Sequence, residues 1–165
     1  MLFRSIAGAL ELEQRERVQA IAREWIGTPY HHRAALKGVG VDCARILIEV
    51  YADAGLIAPF DPGNYSRDWH LHRGEERYLE VLETYSGKPI KGPGTLRQWD
   101  EAGYKPLTGN ILIWQVGRTY SHSAIITEWP AVVHASAPSA MVEEASVVNS
   151  PVYDRLVLLY SLWGV

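Results

Sequence analysis

The sequence predicts an α+β protein, with helices in the front half and an antiparallel sheet packed on them in the back half. Three observations predict it. Up to about residue 85, apolar residues recur at spacings of three and four. From Ile111 onward they gather into short runs rich in branched and aromatic residues. Glycines and prolines separate the two regimes between Lys88 and Gly109.

Residues 10 to 26 read as the first helix. Glu11, Glu13 and Glu16 lie early, where negative charge suits the helix dipole, and Val18, Ile21, Ala22 and Trp25 make one apolar stripe. Gly27-Thr28-Pro29 ends it, because proline biases the residue before it away from helix. Tyr30, His31-His32-Arg33 and a flexible Gly38-Val39-Gly40 follow. The second helix starts after Asp42, with Cys43, Ile46, Leu47, Val50, Tyr51 and Ala54 on one side and Gly55 as its stop. After the turn formers of Asp61-Pro62-Gly63-Asn64 comes a polar, aromatic stretch, Tyr65 to Gly74. A third helix is expected over Glu75 to Tyr85, with Tyr78, Leu79, Leu82 and Tyr85 on one face. Leu96 to Trp99 reads as a turn or short strand. Strands are expected at Ile111 to Val116, Ser121 to Thr127, Ala131 to Ala135 and Arg155 to Tyr160.

Size and composition narrow the function. The chain has 165 residues, which fits one domain, 1–165, with a sizeable core. Net charge is −3 and the basic residues are scattered, so no nucleic-acid footprint is present. The single cysteine excludes an internal disulfide and fits folding in a reducing compartment. The apolar run at the N-terminus is too short for a secretory signal, and no segment approaches the roughly 18 apolar residues of a membrane span. The expectation is a soluble protein without an export signal of its own.

That cysteine stands where a helix begins. Asp42 is a good N-cap, and Cys43 then sits among unpaired amides at the positive end of the helix dipole. A thiolate is favoured there, so the expected thiol pKa falls below the reference of about 8.5. In the back half, a turn around Glu128 pairs two strands antiparallel, with His122 opposite His134 and Ala124 opposite Val132. Directly opposed residues hold their Cβ atoms about 4.5–5.5 Å apart, so one imidazole can orient the other. A thiol at a helix start, a histidine to take its proton and a polar residue to hold that histidine are the parts of a nucleophilic site. Each alone has a plainer explanation, as a small core thiol or a satisfied strand histidine.

The chain order of cysteine, histidine, polar residue is that of papain-like peptidases, and the sequence resembles their NlpC-type cell-wall branch. The matching stretches are Gly27-Thr28-Pro29-Tyr30, Gly40-Val41-Asp42-Cys43, Gly109 to Ile113, Ser121 to Ile126 and Val133-His134-Ala135. They cover about residues 15 to 136, with the second histidine a dozen residues past the first. The resemblance implies a papain-like fold and a cysteine endopeptidase cutting an amide bond in peptidoglycan stem peptides through a thioester. It implies Cys43 as nucleophile, His122 as general base and His134 as the residue orienting His122. Tyr30, together with Asp42 and Ser121, falls in the oxyanion and substrate-binding set, and the Cys43 amide is a second oxyanion donor.

Two departures bear on specificity and setting. Ala44-Arg45 stands where many members carry serine and glycine, and that serine reads the substrate in members that cut beside D-glutamate. Relative to the minimal domain there is a variable insertion at about 58–98, whose Tyr-Ser-x-Asp-Trp character resembles a branch found in phage tails and gene-transfer particles. This implies phage tail proteins as partners beside the peptidoglycan stem peptide, and a chain made in the cytoplasm that becomes virion-associated. Two rivals stand beside the peptidase: a tail-tip or assembly component using the fold as an interaction module, and an acyltransferase or amidase with the same triad. No cofactor is expected. His31-His32 and His70-x-His72 lack the ligand set of a zinc site, so no metal is expected either. Gly38-Val39-Gly40 lacks the rest of a phosphate loop. The tryptophans Trp69, Trp99, Trp114, Trp129 and Trp163 are read mainly as core.

Overall fold

The computed structural model describes residues 2–63 and 77–164. Two clusters of buried side chains lie on opposite faces of one six-stranded sheet. The sheet is built from β3 (Lys91–Thr95), β4 (Ile111–Val116), β5 (Thr119–Glu128), β6 (Ala131–Ser136), β7 (Met141–Ser146) and β8 (Leu156–Tyr160). Its order is β3-β8-β4-β5-β6-β7, with every neighbouring pair antiparallel. The α+β, papain-like class expected from the sequence is the one observed.

The sheet is covered on both sides at its centre, which explains why its strands read as continuous apolar runs rather than alternating ones. Ile111, Ile113, Ile125, Val133 and Leu158 face the helices α1 (Leu2–Glu24) and α2 (Cys43–Asp53). Leu112, Trp114, Ile126, Val157 and Leu159 pack with Leu96, Trp99 and Tyr153 on the other face.

Helix α1 uses the expected stripe, since Val18, Ala22 and Trp25 are buried and Ile21 packs beside them. It begins well before residue 10. Residues 6 to 10 are all exposed, so their helix has no buried face for a hydrophobic period to report. Helix α2 carries Asp42 as its N-cap and ends at Gly55, whose φ of +75° is the left-handed stop that glycine tolerates. Gly40 is required for packing: a Cβ there would stand 2.9 Å from His31 Cβ and 3.1 Å from Ala34 Cβ. It lies in β2 (Gly40–Val41), which pairs with β1 (Ala35–Leu36).

Helix α3 (Arg77–Ser86) sets Tyr78, Leu79 and Leu82 against the first cluster. Tyr85, expected on the same face, is exposed and stacks on Phe60 with ring centroids 4.9 Å apart. Glu75 and the Tyr65 to Gly74 stretch, with Trp69, His70 and His72, lie outside the described residues.

Several elements differ from expectation: strands β1, β2 and β3 were not anticipated, each being too short or too rich in glycine and proline to show an apolar alternation. Leu96 to Trp99 is not a turn or strand but the start of α4 (Leu96–Glu101), closed by a Thr95/Gln98 capping box. Strand β7 was not anticipated. It is a sheet edge with only Val142 fully buried, and Glu143-Glu144 breaks any apolar pattern. Charged edges of this kind resist pairing with other chains.

Candidate active site

Helix α2 delivers Cys43 to the side of β5. Asp42, extended at φ −115° and ψ 177°, accepts from the Ala44 amide at 3.2 Å and the Arg45 amide at 2.9 Å. Its other oxygen accepts from the Arg33 amide at 2.7 Å and stands 3.6 Å from His32 Nδ1. The carboxylate is 2% exposed and holds the loop and helix that carry the cysteine. These contacts brace the chain around the cysteine, beside the substrate-binding role that the resemblance implies for Asp42.

The half-buried Cys43 donates from Sγ to the Ser121 carbonyl, 3.5 Å away. On the other side of His122 the Ser123 amide also points at the sulfur. The thiol therefore lies against the strand backbone flanking the expected base. The Cys43 carbonyl is fixed as well, accepting from Ser123 Oγ at 2.8 Å and from Tyr78 Oη at 3.2 Å. Burial pushes the thiol up to about 12, and the Asp42 charge adds to this against the backbone amides of Cys43, Ser123 and Ala44. The lowered pKa expected for a helix start is overturned. The amides act in the expected direction, but loss of water and the adjacent carboxylate outweigh them.

The two histidine rings meet. His122 Nε2 and His134 Nδ1 are 2.9 Å apart, with ring centroids at 5.1 Å and planes at 73°. The strand register differs from the expected one by two residues, since Val132 pairs with Ile126 rather than Ala124, and a bulge lies between Ile126 and Glu128. A shift of two keeps side chains on the same face, so the rings still reach each other, along a diagonal. Trp114, opposite His122 on β4, stacks against its ring at 5.8 Å. Burial, then the His134 ring, then Arg155 hold His122 well below the ordinary histidine range, at about 3. His134 is also held down, by burial, against the hydrogen bond and charge of Glu143.

Glu143 was missed by sequence reasoning. It stands opposite His134 in the β6–β7 register, with Oε1 3.0 Å from His134 Nε2. Recognising β7 as a strand would have found it.

At neutral pH these groups rest as an uncharged thiol beside an uncharged imidazole. Among the described residues no hydrogen bond joins Sγ to the His122 ring; the thiol's partner is the Ser121 carbonyl and the ring's is His134. Such contacts often tighten only when substrate binds. Ser121 is buried and contributes its carbonyl. Tyr30 is half-buried beside the strand leading into Cys43, with its amide donating to the Ala140 carbonyl at 2.8 Å and a parallel bridge to Val41. Among the described residues no group of three His, Cys, Asp or Glu side chains is placed to hold a metal ion. No helix among them is long and apolar enough to cross a membrane.

The fold is that of NlpC/p60 domains. The chain superposes on the NlpC/p60 domain of the peptidoglycan hydrolase SagA with a TM-score of 0.57 at 20% identity, covering 89% of this chain and 97% of that one. It is also similar to the peptidoglycan hydrolase RipB from Mycobacterium tuberculosis, with a TM-score of 0.59 at 14% identity over 93% and 67% of the two chains. RipD from the same organism, described as a non-catalytic NlpC/p60 domain protein adapted to peptidoglycan binding, gives 0.53 at 14% identity over 90% and 96%. No family model and no curated protein matches the sequence.

Proposed function

We propose that this chain is a cysteine endopeptidase that hydrolyses an amide bond in peptidoglycan stem peptides. The observation that carries the proposal is the placement of the Cys43 thiol against β5 at His122, whose ring is bound to His134. His122 Nε2 is engaged by His134, which leaves Nδ1 to take the thiol's proton as sulfur attacks the carbonyl carbon. The resulting oxyanion is held by the Cys43 amide and the Tyr30 hydroxyl; such donors are worth about 3–4 kcal/mol each. Collapse releases the amine, protonated by His122, and leaves a thioester that water hydrolyses with His122 again as base. The raised thiol pKa means the nucleophile forms in the complex rather than beforehand.

Purified protein incubated with muropeptides should release new amine termini, and Cys43→Ala should abolish the release. Equal activity in both would remove Cys43 as the nucleophile.

One observation favours a second reading, in which the domain binds stem peptides without cutting them. The thiol bonds to the Ser121 carbonyl rather than to the His122 ring, and RipD shares the fold while being described as non-catalytic. Retained muropeptide binding with no product from the wild-type protein would select this reading. An assembly role in a phage tail draws on residues 64–76, outside the described part of the chain, and on the resemblance. Loss of infectivity in particles carrying Cys43→Ala would argue for hydrolysis over a purely architectural role.

A further inference from the structure

We propose that Glu143 is a positioning residue of this site: from the edge strand it dictates which ring nitrogen of His134, and through it of His122, carries the proton. The inference rests on the Cys43–His122 reading above.

A carboxylate offers only acceptors. With Glu143 Oε1 3.0 Å from His134 Nε2, that nitrogen must be the donor. A neutral imidazole has one donor and one acceptor, so His134 Nδ1 accepts. Its partner at 2.9 Å, His122 Nε2, must then carry hydrogen, and the lone pair of His122 lies on Nδ1. A general base for the thiol needs that state. In the reverse arrangement His134 Nδ1–H donates to His122 Nε2, the hydrogen of His122 lies on Nδ1, and the ring has no lone pair for the sulfur's proton. Hydrogen-bond geometry between the two rings is the same in both states. Only the group beyond His134 distinguishes them.

That group is placed by the fold. Strands β6 and β7 bring Glu143 directly opposite His134, while the next residue, Glu144, bonds elsewhere, to Thr127 Oγ1 at 2.6 Å and Arg23 Nε at 3.0 Å. Among the described residues, the charged side chains that act on the ring pair are Glu143 from β7 and Arg155 from the loop before β8. Glu143 is the only one of the two that can accept a hydrogen bond. When one proton passes from Sγ to His122 Nδ1 and the sulfur–carbon bond forms, the new imidazolium is opposed by the Glu143 charge through His134. No proton need reach Glu143.

The test reads ring-nitrogen chemical shifts in the full 15N-labelled chain at neutral pH, beside muropeptide hydrolysis. The wild-type protein should show both rings protonated on Nε2. Glu143→Ala should move population into the Nδ1–H forms and lower kcat by about 10- to 100-fold, the usual cost of removing a partner that fixes a working histidine, with KM little changed. In Glu143→Gln, whose amide oxygen can accept the same bond, tautomer and rate should recover together. Glu144→Ala, a control for the strand, should leave both ring patterns as they were. A Glu143→Ala protein with wild-type ring patterns overturns the proposal, as does a wild-type His134 protonated on Nδ1. The two levels separate cleanly. Correct tautomers with no hydrolysis by any form would sink the peptidase reading and support the proton arrangement; Cys43-dependent hydrolysis untouched by Glu143→Ala would sink this proposal alone.

Discussion

Asp42 and Cys43 are adjacent and work against each other. The carboxylate that caps the helix also raises the thiol pKa, next in size to burial. Asp42→Asn keeps an oxygen for the Ala44 and Arg45 amides but removes the charge. The pH midpoint for alkylation of Cys43 by iodoacetamide should therefore move down from its wild-type position. The same change turns an amide group toward the Arg33 N–H, where Oδ2 now accepts at 2.7 Å, and should cost about 1–2 kcal/mol of stability in urea denaturation. An unchanged alkylation profile would show that the Asp42 charge does not reach the sulfur. His122 makes the complementary case. Its folded pKa of about 3 lies below the ordinary 6.5, so it contributes stability that is fully present above pH 6.5 and lost as pH falls toward 3. The full effect is up to about 5 kcal/mol at 1.36 kcal/mol per pKa unit. His122→Gln should flatten that part of the acid limb, so the gap between variant and wild type should narrow as pH falls from 7 to 4.

Elements were legible in proportion to how local their signals are. Helix α2 announces itself through an N-cap, a stripe and a glycine stop, all within 14 residues of one another, and the structure places each as read. The histidine pair was legible because strand parity survives a register error of two residues. Strand β7 was not legible, and Glu143 was missed with it, because an edge strand with one fully buried side chain carries no apolar alternation. Helix α4 was hidden for a different reason. Six residues are too few to show a hydrophobic period, and only the Thr95/Gln98 box marks it. The thiol pKa lay beyond any local rule. A helix start describes the amides around the sulfur but not the β5 strand that removes its water, and burial is a property of the assembled fold.

At the scale of the molecule, the candidate site draws its sulfur from the front half of the chain and its imidazoles from the back half, so the brace between the halves matters. Arg15 of α1 supplies one, and it is only 6% exposed. Its Nη1 donates to the Thr108 carbonyl at 2.7 Å and to Asn110 Oδ1 at 2.8 Å, just ahead of β4, and its guanidinium lies 4.1 Å over the Trp163 ring near the C-terminus. Trp163 Nε1 in turn donates to Gln14 Oε1 at 2.8 Å. Arg15→Ala leaves two partly or wholly buried acceptors without their donor, and each is worth about 1–3 kcal/mol. A total loss of about 2–4 kcal/mol is expected in urea denaturation. Trp163→Ala removes the stacked face and should cost about 2 kcal/mol, less than a fully buried tryptophan. Because the two side chains touch, the double variant should lose less than the sum of the singles, by about 0.5–2 kcal/mol. Neither residue touches Cys43, His122 or His134, so muropeptide turnover per folded molecule should stay at the wild-type value in both single variants. Strict additivity in the denaturation cycle would show that the halves are held by independent contacts. A fall in turnover without a fall in stability would mean that α1 reaches the site by some other route.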